Sequence, residues 1–172
     1  MPLKRQKNLK SIYFFENALS TSDYKSADKN DFFLRVKAKI KAYLQDPEQT
    51  FRDYPLSKDD IPATYAHAIA YMKKMDFDKA LNKINSLILR DNGNPFFYEL
   101  KGQIYLEIGK IKQAKQNFAK AYEILPNSHL IQINYAHAIL EDNPNIGDAK
   151  EAINLLKSFD LEFMAKVRMA LP

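Results

Sequence analysis

The sequence predicts an all-α protein built as a short solenoid of paired helices, and three observations carry that prediction. A pattern of small, aromatic and helix-stopping residues recurs every 34 residues. Only four glycines stand among 172 residues, too few for a β-rich fold with many turns. Prolines such as Pro47, Pro55 and Pro126 fall where helices should start or stop.

The pattern is clearest from Pro95 to Ser128. With Pro95 as position 1, Tyr98 stands at 4, Gly102 at 8, Tyr105 at 11, Ala114 at 20, Phe118 at 24, Ala121 at 27 and Pro126 at 32. These are the landmarks of a tetratricopeptide (TPR) repeat. Small residues at 8 and 20 let the two antiparallel helices of a repeat cross closely, and the aromatic side chains fill the space around the crossing. Lys101 departs from the pattern, since leucine is usual there, and Leu100 is expected to take over part of its packing.

Taken in order, residues 4–19 form a possible helix with Leu9, Ile12, Tyr13 and Leu19 as a partial apolar stripe, and residues 20–31 read as a polar linker. Asp31 is placed to cap a helix whose apolar face holds Phe33, Val36, Ile40, Tyr43 and Leu44. Arg35, Lys37, Lys39 and Lys41 then form a solvated basic face. Asp46-Pro47 starts a short helical turn over 47–54, and Pro55 to Pro62 is a connector. Residues 1–58 thus make an N-terminal helical arm, and residues 59–172 hold three TPR repeats, 61–94, 95–128 and 129–166, with a short tail.

In the first repeat Ala68, Tyr71, Ala80, Ile84 and Leu87 land on positions 8, 11, 20, 24 and 27, with Gly93 and Asn94 as the stop. In the third, Ala136 and Ile139 land on 8 and 11, whereas Ala152, Leu156 and Phe159 fit 20, 24 and 27 only with about four inserted residues. The pentapeptide Tyr-Ala-His-Ala-Ile occurs at 65–69 and 135–139, 70 residues apart. Aligning its copies would slide the third repeat by two residues and bury Glu141 unpaired, so the 34-residue frame is preferred.

Composition narrows the chemistry. There is no cysteine, hence no disulfide or thiolate metal site. The net charge of +5 sits in residues 1–45, which balance to +6, while the remainder balances to −1. The apolar run Ile12 to Phe15 is too short for a secretory signal, and no stretch approaches the roughly 18 apolar residues of a membrane span. As written, the chain is expected to be cytoplasmic. His67, His129 and His137 are not followed by glutamate, so no zincin helix is present; His67 reads as a core histidine. Residues 142–148 superficially resemble a calcium loop, but Pro144 and Ile146 stand where oxygen ligands are needed. No phosphate cradle or nucleophile elbow is found. The expectation is a non-enzyme without catalytic residues, metal or cofactor.

What remains is the groove lined by the first helix of each repeat. Positions 5, 9, 12 and 13 give Tyr65, Ile69, Met72 and Lys73, then Glu99, Gln103, Leu106 and Glu107, then Ile133 and His137 with Leu140 and Glu141. This groove is acidic in its middle and lacks the Lys and Asn at positions 5 and 9 that clamp a chaperone-tail carboxylate. A protein or peptide ligand is the expected partner. Nucleic-acid binding through the basic arm is the alternative. The tail Leu161, Phe163, Met164, Val167, Met169 and Leu171 has no capping polar face, so it is expected either to fold back over the third repeat or, the preferred reading, to meet its copy in a homodimer.

The order of parts resembles the C-terminal region of bacterial TPR-containing zinc metalloproteases of the periplasmic BepA type. The resemblance is carried by Arg35-Val36-Lys37-Ala38-Lys39, Tyr43-Leu44, Pro47-Glu48-Gln49-Thr50, Tyr54-Pro55, Tyr65-Ala66-x-Ala68-Ile69-Ala70-Tyr71 and, most distinctively, Asn94-Pro95-x-x-x-Glu99-Leu100-Lys101-Gly102-Gln103. It implies a substrate-positioning or regulatory module for protein quality control in the envelope, working with a separate zinc metalloprotease domain. It also implies the periplasm, should the chain belong to a larger exported protein. It carries over no catalytic residue, because the metal-binding helix is absent.

Overall fold

A computed structural model describes residues 38–39, 41–57, 60–142 and 145–156. The segments 4–19 and 20–31, the apolar-face residues Phe33, Val36 and Ile40, Phe159 and the tail from Leu161 all lie outside the described residues. The described part is all-helical. It begins with helical residues 38, 39 and 41–44, here α1. Then follow α2 (Pro47–Asp53), α3 (Ile61–Lys73), α4 (Phe77–Arg90), α5 (Pro95–Glu107), α6 (Ile111–Ile124), α7 (His129–Glu141) and α8 (Ile146–Leu156). The pairs α3–α4, α5–α6 and α7–α8 pack as antiparallel hairpins, and α4 on α5 and α6 on α7 join one hairpin to the next. This is a TPR-type helical-repeat solenoid of three hairpins.

Local chemistry sets the helix starts. Asp46, Asp60 and Asn94 accept backbone N–H bonds from Gln49, Ala63 and Phe96 at 2.8, 2.8 and 3.1 Å, and each is followed by proline at N1 or N2. Asn94, read as part of a stop, is therefore the start of α5; Asp91 ends α4 instead. The first helices end alike, on the left-handed residues Met75 (φ 61°) and Gly109 (φ 77°), both at position 15. The next N–H in each case, from Asp76 or Lys110, reaches back to Tyr71 or Tyr105 O at 2.9 Å, satisfying end carbonyls.

Ile61, Pro95 and His129 open the three first helices at an unbroken interval of 34 residues. Ala68, Gly102, Ala80, Ala114, Ile84, Phe118, Leu87 and Ala121 are all buried. A Cβ built on Gly102 would lie 2.6 Å from the Phe118 ring, which is why glycine occupies this crossing. His137 and Glu141 are exposed, whereas His67, its counterpart in the pentapeptide, is buried; the slipped alignment is thereby excluded.

The expected four-residue insertion does not occur. Between Glu141 and Ile146 the connection is one residue longer than its two counterparts. Ala152 and Leu155 are buried at positions 24 and 27 of the uninterrupted frame, with Leu156 half-buried beside them. The reason is a reciprocal cap: Asn145 N–H donates to Asp148 Oδ2 and Asp148 N–H to Asn145 Oδ1, each at 3.0 Å. Asp148, which caps the helix, occupies the position where the sequence reading required alanine.

Candidate functional site

Helix α1 lies against several of the residues expected to line the groove. Lys39 meets Glu99 and Tyr43 meets Gln103, so α1 and α5 run side by side in the same direction. Toward the start of α3, the Lys39 ammonium lies near the Tyr65 ring. Toward its end, Lys73 caps α1, donating to Ala42 O and Tyr43 O at 3.1 Å and to Gln45 O. α1 thus occupies the valley between α3 and α5, parallel to both, with its carbonyl end at an ammonium. That arrangement suits the helix dipole and fixes the direction of the occupant.

The centre of the valley is a buried polar cluster. Glu99 is fully buried, and Lys39 is only 6% exposed. Lys39 Nζ donates to Glu99 Oε2 at 2.9 Å, while Glu99 Oε1 accepts from Asn134 Nδ2 at 2.9 Å and from Gln103 Nε2. Gln103 Oε1 in turn accepts from the Tyr43 hydroxyl at 2.6 Å. Burial raises the Tyr43 pKa well above its ordinary value, so the hydroxyl keeps its proton and donates. Burial also lowers the Lys73 pKa. The ammonium of Lys39 stands 5.7 Å from the Tyr65 ring centroid and 5.3 Å from that of Phe96.

Around this cluster, Ala38 and Ala42 join Tyr65, Ile69, Phe97 and Leu100 in one apolar core, against which Met72 is half-buried. Tyr65 and Ile69 are therefore core residues beneath α1 as well as groove residues. Further along, Leu106 and Ile133 are half-buried, and Glu107 and His137 are exposed, His137 lying 3.4 Å from Glu141. The structure brings Tyr65, Ile69, Lys73, Glu99 and Gln103 together around α1 and leaves Glu107 and His137 exposed.

Two expectations for α1 are corrected. Its described buried residues are Ala38, Lys39 and Ala42, with Tyr43 half-buried and Leu44 exposed. Lys39, read as part of a solvated basic face, is instead buried, because the Glu99 carboxylate supplies the partner that burial of a charge demands. Lys39, Phe96 and Asn134 were not identified as site residues from the sequence. The signal that could have found Lys39 was the juxtaposition of a basic arm and a groove acidic in its middle.

His67 is a core histidine. Its Nε2 lies 2.6 Å from Tyr54 O, its ring packs edge-on to Phe51, and burial lowers its pKa. Among the described residues, Nδ1 is buried without a hydrogen-bond partner. Also among the described residues, no three His, Asp or Glu side chains cluster as metal ligands, and no helix is long and apolar enough to cross a membrane.

No family model and no curated protein matches the chain. A solved structure of MamA AMB-1 is similar to it at 14% identity and a TM-score of 0.49, covering 91% of this chain and 97% of that one.

Proposed function

We propose that the chain is a non-catalytic protein-binding module that receives a helical segment of a partner in the groove between its first helices. The observation that carries this reading is α1 itself: the groove holds a helix through apolar contact, a buried ion pair, a tyrosine–glutamine bond and a lysine cap. Those are the elements of helix-in-groove recognition. Glu107 and His137, both exposed, are read as the continuation of that surface.

The resemblance in the order of parts supports the finer reading, that binding positions substrates for a separate zinc metalloprotease in the bacterial envelope. A photo-crosslinking residue at His137 should capture a partner that one at Leu89, 88% exposed on α4, does not. Equal capture at both positions would overturn the groove reading. The protease association requires a neighbouring reading frame encoding a His-Glu-x-x-His helix, and copurification with its product; the lack of both would remove that part.

A further inference from the structure

We infer that the valley between α3 and α5 is a lysine-reading site, held in cis by Lys39 and open to a partner helix that presents the same face. The inference rests on the groove being the binding surface. Four features define what the site accepts. The carboxylate of Glu99 is fully buried and aimed at the ammonium. Asn134 and Gln103 both bind Oε1, which leaves Oε2 for the ligand. An ammonium needs one such oxygen, whereas a guanidinium achieves its bidentate geometry only with two. Lysine is therefore favoured over arginine. The rings of Tyr65 and Phe96 at 5.7 and 5.3 Å add attraction for a cation. A trimethylated lysine, having no N–H to give Oε2, loses the ion-paired hydrogen bond and is disfavoured.

The rest of the face follows from α1. Ala38 and Ala42, one residue before the lysine and three after it, are fully buried, so larger side chains there would lift the helix. Tyr43, four residues after the lysine, answers Gln103. The carbonyls of residues 42, 43 and 45 meet Lys73, so the accepted helix ends within a turn of that tyrosine. The partner is thus a helix carrying small-Lys-x-x-small-Tyr near its C-terminus. Because only Gln45 and Asp46 separate α1 from α2, its effective concentration is on the order of millimolar, and a partner in trans must compete with it.

The test uses the full chain, its Lys39→Met variant, and a fluorescent capped peptide copying residues 36–45 (VKAKIKAYLQ). By fluorescence anisotropy, Lys39→Met should bind the peptide roughly tenfold more tightly than the unaltered chain, because its own segment no longer fills the acidic site. On that variant, peptides with Met or Arg in place of Lys39 should bind roughly tenfold more weakly, and adding Glu99→Gln should abolish the difference. Equal binding of the Lys and Met peptides overturns lysine reading and leaves the groove reading standing. Binding of neither peptide by a chain with unchanged circular dichroism overturns both. Should Lys39→Met unfold, the unaltered chain serves: millimolar Lys peptide should speed amide exchange at residues 41–44 and the Met peptide should not. Exchange indifferent to both peptides overturns the proposal.

Discussion

The crossing at Gly102 offers the sharpest check on the packing that shapes the groove. In Gly102→Ala the new Cβ would meet Phe118 Cε1 at 2.6 Å and its Cδ1 and Cζ at 2.8 Å. Carbon pairs prefer about 3.5–4.0 Å, so the ring must retreat by about 1 Å or the helices must part. Phe118 is fully buried, packed with Ala114, Ala138 and Tyr105, so the ring moves only against neighbours. Overpacking of this kind costs about 1–3 kcal/mol, and a rigid ring puts it near the upper end. Alanine offsets about 1 kcal/mol through its helix propensity, leaving a net loss of about 2 kcal/mol. Leucine at 102 places more atoms in the same spot and should unfold the second repeat. The first repeat suggests the rescue, since positions 8 and 24 there hold Ala68 and Ile84. Gly102→Ala with Phe118→Ile rebuilds that pair, and the double-mutant cycle should show a favourable coupling of about 1 kcal/mol or more. Urea unfolding followed by circular dichroism measures all four proteins. A stable Gly102→Ala, or strictly additive effects, would refute the crossing argument.

Met75→Gly should stabilise the chain by up to about 1 kcal/mol in urea unfolding, because glycine relieves the left-handed strain that Gly109 avoids at the equivalent turn. Lys101→Leu should stabilise by about 1 kcal/mol in the same assay, since the half-buried ammonium, whose pKa burial lowers, gives way to an apolar side chain. The contribution of His67 to stability should be flat above about pH 6.5 and fall as pH drops below it, levelling beneath its depressed pKa. The unfolded chain binds the proton more readily there, so urea midpoints should decline with acid, and His67→Phe should remove that slope. Equilibrium dialysis should find no stoichiometric zinc; uptake abolished by His137→Ala would contradict the non-enzymatic reading.

The repeat architecture was readable because it is written locally. Ala80, Gly102 and Ala114 are small where helices must cross, and Asn94-Pro95 announces a start, so residues a few positions apart sufficed. The occupant of the groove was not written that way. Lys39 sits between Lys37 and Lys41 in a segment that looks uniformly solvated, and its partner Glu99 lies 60 residues further on. No periodicity within either segment reports that pairing. Asp148 misled for a related reason: a position that wants alanine in an average repeat was taken by a helix cap, and capping overrode the packing preference. At the departure from the pattern, Leu100 is fully buried and Lys101 itself is half-buried beside it.

Repeats that touch only their neighbours can peel from either end, each losing its structure with little warning to the others. The carboxylate of Glu99 binds this array together differently. Lys39 reaches it from before the first repeat, Gln103 from its own helix and Asn134 from the third repeat. Fraying at either end strips a partner from a charge that has no access to water, and an incompletely paired buried charge is costly. The stretch from residue 38 to residue 134 should therefore melt in one transition, and fold more slowly than its local helical contacts alone would suggest.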